Sequence, residues 1–176
     1  MNTHNIILDA VDIDRKLIRM THEILDVHKG VDNLALIGIH TRGVFLARRI
    51  QSKIREIEKF KIPAGEMDIT LYRDDWTLIS PNPIVKTTDI DFSVDGRKII
   101  LVDDVLFTGR TTRAAMDAII DFGRPSRIEL AVLVDRGHRE LPIQADYVGK
   151  YVETRLSETI NVLLLEHDGE DKVTIE

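Results

Sequence analysis

The chain has 176 residues, 43% of them hydrophobic and 31% charged. That supports one domain with a sizeable core, residues 1–176, and is ordinary for a soluble globular protein. It has no cysteine, so disulfides, thiolate metal sites and cysteine nucleophiles are excluded, and its net charge of −6 argues against indiscriminate coating of nucleic acid while leaving room for a local basic stripe.

The opening MNTHNIILDA lacks the apolar stretch of a signal peptide, and no apolar run approaches the ~18–20 residues of a membrane-spanning helix, so a cytoplasmic protein is expected. Residues 12–29 read as a helix with Ile13, Leu17, Met20, Thr21, Ile24 and Leu25 on one face and Gly30 as its stop. LALIGI (34–39) reads as a strand buried on both faces, and residues 43–58 as a second amphipathic helix. MDITL (67–71) and KIILVD (98–103) read as strands, 111–122 as a helix, IELAVLVD (128–135) as a strand and NVLLLE (161–166) as a late strand. This alternation predicts an α/β fold with a mainly parallel twisted sheet and helices on both faces.

In such sheets ligands sit beyond the C-terminal ends of the strands. Four polar loops fall there: HTRG (40–43), YRDDWTLISPNP (72–83), DDVLFTGRTT (103–112) and DRGHRE (135–140). The third carries the strongest signal. A strand that turns into a helix through small residues exposes helix N-terminal N–H groups to an anion. Gly109 permits close backbone approach, and Thr108, Thr111 and Thr112 add hydroxyls. A threonine there is also commonly just a cap. The adjacent Asp103 and Asp104 repel one another and repel phosphate. They suit sugar hydroxyls, Mg²⁺ or a developing cation. Phosphate beside a diol beside a place for positive charge describes a phosphorylated ribose. Neither the G-x-x-x-x-G-K-[ST] nor the G-x-G-x-x-G pattern occurs.

IILVDDVLFTGRT (99–111) resembles the phosphoribosyl-pyrophosphate (PRPP) loop of the type I phosphoribosyltransferases: apolar strand, two acids, then T-G-x-T. GIHTRG (38–43), DITLYRDD (68–75), MDAIIDFGRPSRIELAVLVDRGHRELPI (116–143) and ADYVGK (145–150) narrow it. Together they resemble the bifunctional pyrimidine operon regulator / uracil phosphoribosyltransferase family over almost the whole chain. The resemblance implies conversion of uracil and PRPP to UMP and pyrophosphate through an oxocarbenium-like transition state, on a fold with a mobile lid and a small hood. It implies that Asp103 and Asp104 hold the ribose hydroxyls and Mg²⁺, directly or through water. Residues Val105, Leu106, Phe107, Thr108, Gly109, Arg110, Thr111 and Thr112 form the PRPP loop, with 107–112 around the 5-phosphate. Thr41 and Arg42 form the pyrophosphate loop, which in the family often carries a cis peptide. Residues 72–87 form the lid, with Arg73 as its catalytic contact and no chemistry assigned to Trp76. Asp135 and Arg136 approach the nucleotide.

The resemblance also implies regulation of pyrimidine genes, by transcription attenuation, through binding of their mRNA leader when UMP or UTP is bound. Arg15, Arg19, His22, Asp26 and Lys29 share one outward face of the first helix, a pattern that a merely solvated face also produces. The implied RNA contacts are Arg15, Arg19, His22 and Lys29, with His138 and Arg139, in a homodimer or higher homo-oligomer. Ile18, Val27 and Gln144 stand where RNA-binding members carry polar or basic residues, and Asp26 dilutes the stripe. The alternatives are a purine phosphoribosyltransferase and a nucleotide-sensing RNA-binding regulator with little turnover.

Overall fold

The computed structural model describes residues 5–74 and 87–176. Strand β1 (Asn5–Leu8) leads into helix α1 (Ala10–His28), strand β2 (Leu34–Ile39) and helix α2 (Arg42–Glu58). Strand β3 (Ala64–Met67), a 3-10 turn (Thr70–Tyr72), strand β4 (Lys98–Leu106) and helix α3 (Arg110–Phe122) follow. Strands β5 (Arg127–Asp135), β6 (Tyr147–Tyr151) and β7 (Ile160–Leu163), the short helix α4 (Leu165–Asp168) and strand β8 (Lys172–Ile175) complete the order.

Five strands form a parallel sheet in the order β3-β2-β4-β5-β6, and β1-β8-β7 form a small antiparallel one. The central strands are apolar on both faces, as a covered parallel sheet requires. Leu34 and Leu36 of β2 and Ile100 and Val102 of β4 join an apolar cluster with α1, α2 and the small sheet. Their neighbours Ala35, Ile37, Ile99 and Leu101 join a second cluster with α3. Helix α1 buries the six residues its spacing indicates. It starts two residues earlier than expected because Asp9 caps it, in a reciprocal box with Asp12. It stops where Lys29 turns left-handed and Gly30 N–H donates to Leu25 O at 3.1 Å.

Three strand boundaries differ from expectation. The strand expected at 67–71 is Ala64–Met67 instead. Asp68 accepts hydrogen bonds from Thr70 N at 2.9 Å and Thr70 Oγ1 at 2.6 Å, and that local turn replaces strand. The strand expected at 98–103 runs on to Leu106 and stays paired to β5 through Leu106↔Asp135. The two carboxylates therefore lie within the strand rather than beyond it. The late strand ends at Leu163 rather than 166, because the Asp168 and Asp171 carboxylates take the Leu164 and Leu165 N–H groups, each at 2.8 Å, and turn the chain. Strands β1, β6 and β8 have only four or five residues each, too short for their alternation to stand out.

Candidate active site

The parallel sheet brings the C-terminal ends of β2, β4 and β5 side by side, and with them loops 40–43, 103–112 and 135–140. Asp103 is buried and Asp104 half-buried. Asp104 N donates to Asp103 Oδ1 at 2.9 Å and Val105 N to Asp104 Oδ1 at 2.8 Å. Burial pushes the Asp103 carboxyl well above the usual carboxylate range, and the Asp104 charge adds to it, while Arg73 opposes it. A cation placed beside this buried carboxyl would favour its charged form.

Beyond the carboxylates the chain turns into α3 through Gly109, at φ 91°. Gly109 is the N-cap of α3 and brings no side chain to its N–H groups, which leaves this end of the helix suited to an anion. Thr108 Oγ1 accepts from Arg110 N at 3.3 Å, Thr111 Oγ1 accepts from Arg73 Nη1 at 3.1 Å, and Thr112 is buried. The Arg110 side chain turns to Glu140 at 2.7 Å and to Asp74, so what Arg110 brings to the turn is its backbone. The turn is braced by the next loop: Thr108 O accepts from Glu140 N at 2.9 Å and Leu141 N at 3.2 Å, and Leu106 O accepts from Arg136 N at 3.1 Å.

Thr41 is the N-cap of α2, the His40–Thr41 peptide bond is cis, and Arg42 is the first helical residue. The Arg42 guanidinium meets Asp168 of α4 through two bonds, Nε to Oδ2 at 3.0 Å and Nη2 to Oδ1 at 2.7 Å. That contact raises the Arg42 pKa and holds the Asp168 carboxyl below its usual range. Arg42 and Asp104 line a pocket of about 430 Å³ closed by the β7 and β8 strands, including Asn161 and Lys172.

At the end of β5, Asp135 faces inward. Its carboxylate accepts from Gly137 N at 3.0 Å and from Arg139. Arg136 is buried, stacks over the Phe107 ring at 4.0 Å and donates to Arg155 O at 3.1 Å. Arg139 also donates to Phe107 O at 3.0 Å and Ile143 O at 2.9 Å. Its guanidinium thus joins loop 135–140 to the 107–112 turn, whereas the resemblance implied an RNA contact. His138 Nε2 lies 2.6 Å from Thr154 O. Arg15 and His22 on α1 and Lys29 at its C-cap are exposed. Arg19 differs from them: it donates to Val148 O at 2.9 Å, to Gly149 O at 2.7 Å and to Glu23 at 2.6 Å. Of the expected lid, residues 75–86, with Trp76, lie outside the described residues.

Spacing did not reveal Asp168, Glu140 or Asp74, each of which holds an arginine. Asp74 and Glu140 lie in the polar loops 72–83 and 135–140, and the trace of Asp168 in sequence is the acidic run LEHDGED (165–171).

A phosphoribosyl transferase domain model matches residues 5–162. The chain belongs to this family. Among curated proteins it is 59% identical over 169 residues to the Bifunctional protein PyrR of Clostridioides difficile (strain 630), covering 96% of each chain. It is 59% identical over 170 residues to that of Desulfosudis oleivorans, with 96% of this chain and 94% of the relative covered. With the Bacillus cereus (strain AH820) protein of the same name it shares 57% over 177 residues, 99% and 98% of the two chains. Its fold is that of solved family structures such as the hypoxanthine phosphoribosyltransferase of Trypanosoma cruzi, with a TM-score of 0.72 at 15% identity, over 97% of this chain and 95% of that one. The Staphylococcus aureus hypoxanthine phosphoribosyltransferase gives 0.69 at 17% identity, over 97% and 90%.

Proposed function

We propose that this chain makes UMP and pyrophosphate from uracil and PRPP, and that it regulates pyrimidine biosynthetic genes by nucleotide-dependent binding to their mRNA leader. It is a pentosyltransferase of the bifunctional PyrR kind. The observation that carries the catalytic reading is the pair Asp103–Asp104 in the last part of β4, with Asp104 five residues before the Gly109 N-cap of α3 and beside Arg42.

The N–H groups and hydroxyls of residues 107–112 hold the 5-phosphate. Asp103 and Asp104 accept hydrogen bonds from the ribose hydroxyls and face the positive charge that develops at the sugar as pyrophosphate leaves. Thr41 and Arg42 bind the departing pyrophosphate, and Arg73, already on Thr111, reaches it from the lid side. Asp135 and Arg136 shape the nucleotide side through the Phe107 stack. Two adjacent carboxylate side chains, Asp103 and the pocket-lining Asp104, fit Mg²⁺ as oxygen donors. That ion keeps several waters and takes its remaining oxygens from a substrate's phosphates. When bound, it would neutralise pyrophosphate charge.

Among the described residues no helix is long and apolar enough to cross a membrane. For RNA, exposed Arg15, His22 and Lys29 are the proposed phosphate contacts, paired across a homodimer or larger homo-oligomer. Purine salvage has fold likeness at 15–20% identity behind it.

The test is UMP formation from uracil, PRPP and Mg²⁺, with hypoxanthine and guanine as competing bases. Turnover with uracil alone is expected. Turnover only with a purine would overturn the base assignment. A gel shift on a pyrimidine-gene leader, expected only with UMP or UTP present, tests the regulatory half.

A further inference from the structure

The hairpin between β7 and β8 is fastened to α2 at two places. Arg49 holds it through Glu166, at 2.8 and 2.6 Å, and through Asp171, at 3.0 and 2.7 Å. The Phe45 and His167 rings stack beside this contact, 6.2 Å apart. Arg42 makes the second fastening, through Asp168 alone. The Asp168 carboxylate is itself fixed from behind, because its Oδ2 accepts from Leu164 N at 2.8 Å within the same turn.

The two fastenings differ in what they leave over. Arg49 spends Nε, Nη1 and Nη2 on two carboxylates. Arg42 spends only Nε and one Nη2 donor on one carboxylate, and it lines the pocket with Asp104, which Asp168 does not. A guanidinium has five N–H donors in a rigid planar fork. Gripping one edge of that plane fixes the direction of the others. Arg49 also fastens the hairpin, so the Arg42–Asp168 contact is not its sole tie to α2.

We propose that Asp168 is a positioning residue for the transferase reaction: it clamps one edge of the Arg42 guanidinium so that the remaining N–H donors meet the pyrophosphate group. This rests on the assignment of Arg42 to pyrophosphate given above. A pre-aligned arginine binds a diphosphate without first giving up rotamer freedom. The opposite role is physically possible for the same contact: Asp168 could compete with pyrophosphate for Arg42. The two differ in sign.

The experiment compares wild type with Asp168→Asn, Asp168→Glu and Glu166→Gln. It measures KM for PRPP, inhibition by pyrophosphate, and UMP affinity by calorimetry. UMP has no pyrophosphate group, so it reports whether the rest of the site is intact. Asparagine keeps an acceptor for Leu164 N and loses the charged fork. For Asp168→Asn, KM for PRPP and Ki for pyrophosphate should each rise at least tenfold, with UMP affinity within twofold of wild type. Asp168→Glu should recover part of the loss, and Glu166→Gln should leave pyrophosphate inhibition within twofold, since Arg49 retains Asp171. Unchanged or tighter pyrophosphate binding in Asp168→Asn would overturn the proposal. So would a parallel loss of UMP affinity, which would mark Asp168 as a structural clip. If wild type itself neither turns over PRPP nor is inhibited by pyrophosphate, the assignment of Arg42 fails and the proposal falls with it. If wild type does both and Asp168→Asn is unaltered, only the positioning role fails.

Discussion

Gly43 lies directly against the carbonyl oxygen of Val102. A Cβ on Gly43 would stand 2.4 Å from that oxygen and 3.1 Å from Asp103 Cα. Gly38 in β2 makes the reciprocal approach, its absent Cβ falling 2.5 Å from Val44 Cα. These two glycines let the first turn of α2 rest on β2 and β4. That contact sets Arg42 next to the carboxylate pair.

Gly43→Ala is therefore expected to disturb both stability and the site. The obstacle is backbone, which cannot swing aside as a long side chain can. Overpacking of this kind costs ~1–3 kcal/mol. Denaturant unfolding should show a loss in that range, and KM for PRPP should rise. A variant with native stability and native KM would mean that α2 can shift outward without moving Arg42.

Asp103→Asn should separate stability from activity. In the folded chain, burial and Asp104 raise the Asp103 pKa above the unfolded value. As pH climbs past the ordinary aspartate range near ~4, the unfolded chain loses this proton first. The native state is then penalised progressively, until Asp103 ionises as well. Asparagine removes the penalty. Without PRPP or divalent cation, Asp103→Asn should melt higher than wild type at pH 7–8, by roughly 2–4 °C for each kcal/mol relieved. The gain should vanish below about pH 4. Turnover should fall at least tenfold, ~1.4 kcal/mol of barrier. A lower melting temperature at pH 8 would show that the fold stabilises this carboxylate rather than straining it.

The parts of this molecule legible in sequence are those with strong local patterns. LALIGI and the IILV core of KIILVD announce buried strands because each is a continuous apolar run, and the α1 face follows from helical spacing. The turn through Thr108 and Gly109 into α3 follows from residue types. Asp68 ended a strand, and Asp168 and Asp171 ended another, through side-chain bonds to backbone N–H groups, which no periodicity reports. The arginines were the least legible. Arg19 and Arg139 were expected among the RNA contacts and Arg110 in the PRPP loop. Their partners are Gly149 O, Glu140 and Phe107 O, each about 30 or more residues away, and only the assembled fold brings them together.

Two glycines with left-handed backbone test the phosphate turn. Gly109, at φ 91°, would place a Cβ 3.0 Å from Ile143, whereas Gly96, at φ 68°, has nothing within 4 Å. Alanine at either position is strained by about 1 kcal/mol or more. Only at position 109 should UMP affinity also fall, because the turn that holds the 5-phosphate must shift away from Ile143. Calorimetry on Gly109→Ala and Gly96→Ala gives the comparison, and equal UMP affinity in the two would remove the turn from phosphate binding.

The α1 stripe divides into residues that only face solvent and one that also supports the fold. Arg15, His22 and Lys29 are exposed, so their replacement by alanine should leave melting temperature and UMP synthesis within twofold or a degree or so of wild type. If they contact RNA phosphates, each loss should lower the slope of log affinity against log salt by roughly 0.7–0.9. Arg19 should behave differently. It gives two hydrogen bonds to the carbonyls of Val148 and Gly149 on β6, the edge strand of the parallel sheet. Without Arg19 those carbonyls fall back on water, and Arg19→Ala should cost about 1 kcal/mol, discounted for the half-exposed guanidinium. Its effect on RNA is then expected to combine a lost charge with a loosened β6 edge. Arg19→Lys separates the two: a lysine keeps the charge as a single point and gives up the fork that spans both carbonyls. It should retain the wild-type salt slope while losing stability. A lysine variant with native stability would show that the β6 contact contributes nothing. Alanine variants at all four positions that bind a pyrimidine-gene leader as wild type does, with UMP present and at low salt, would place the RNA contacts elsewhere on the chain.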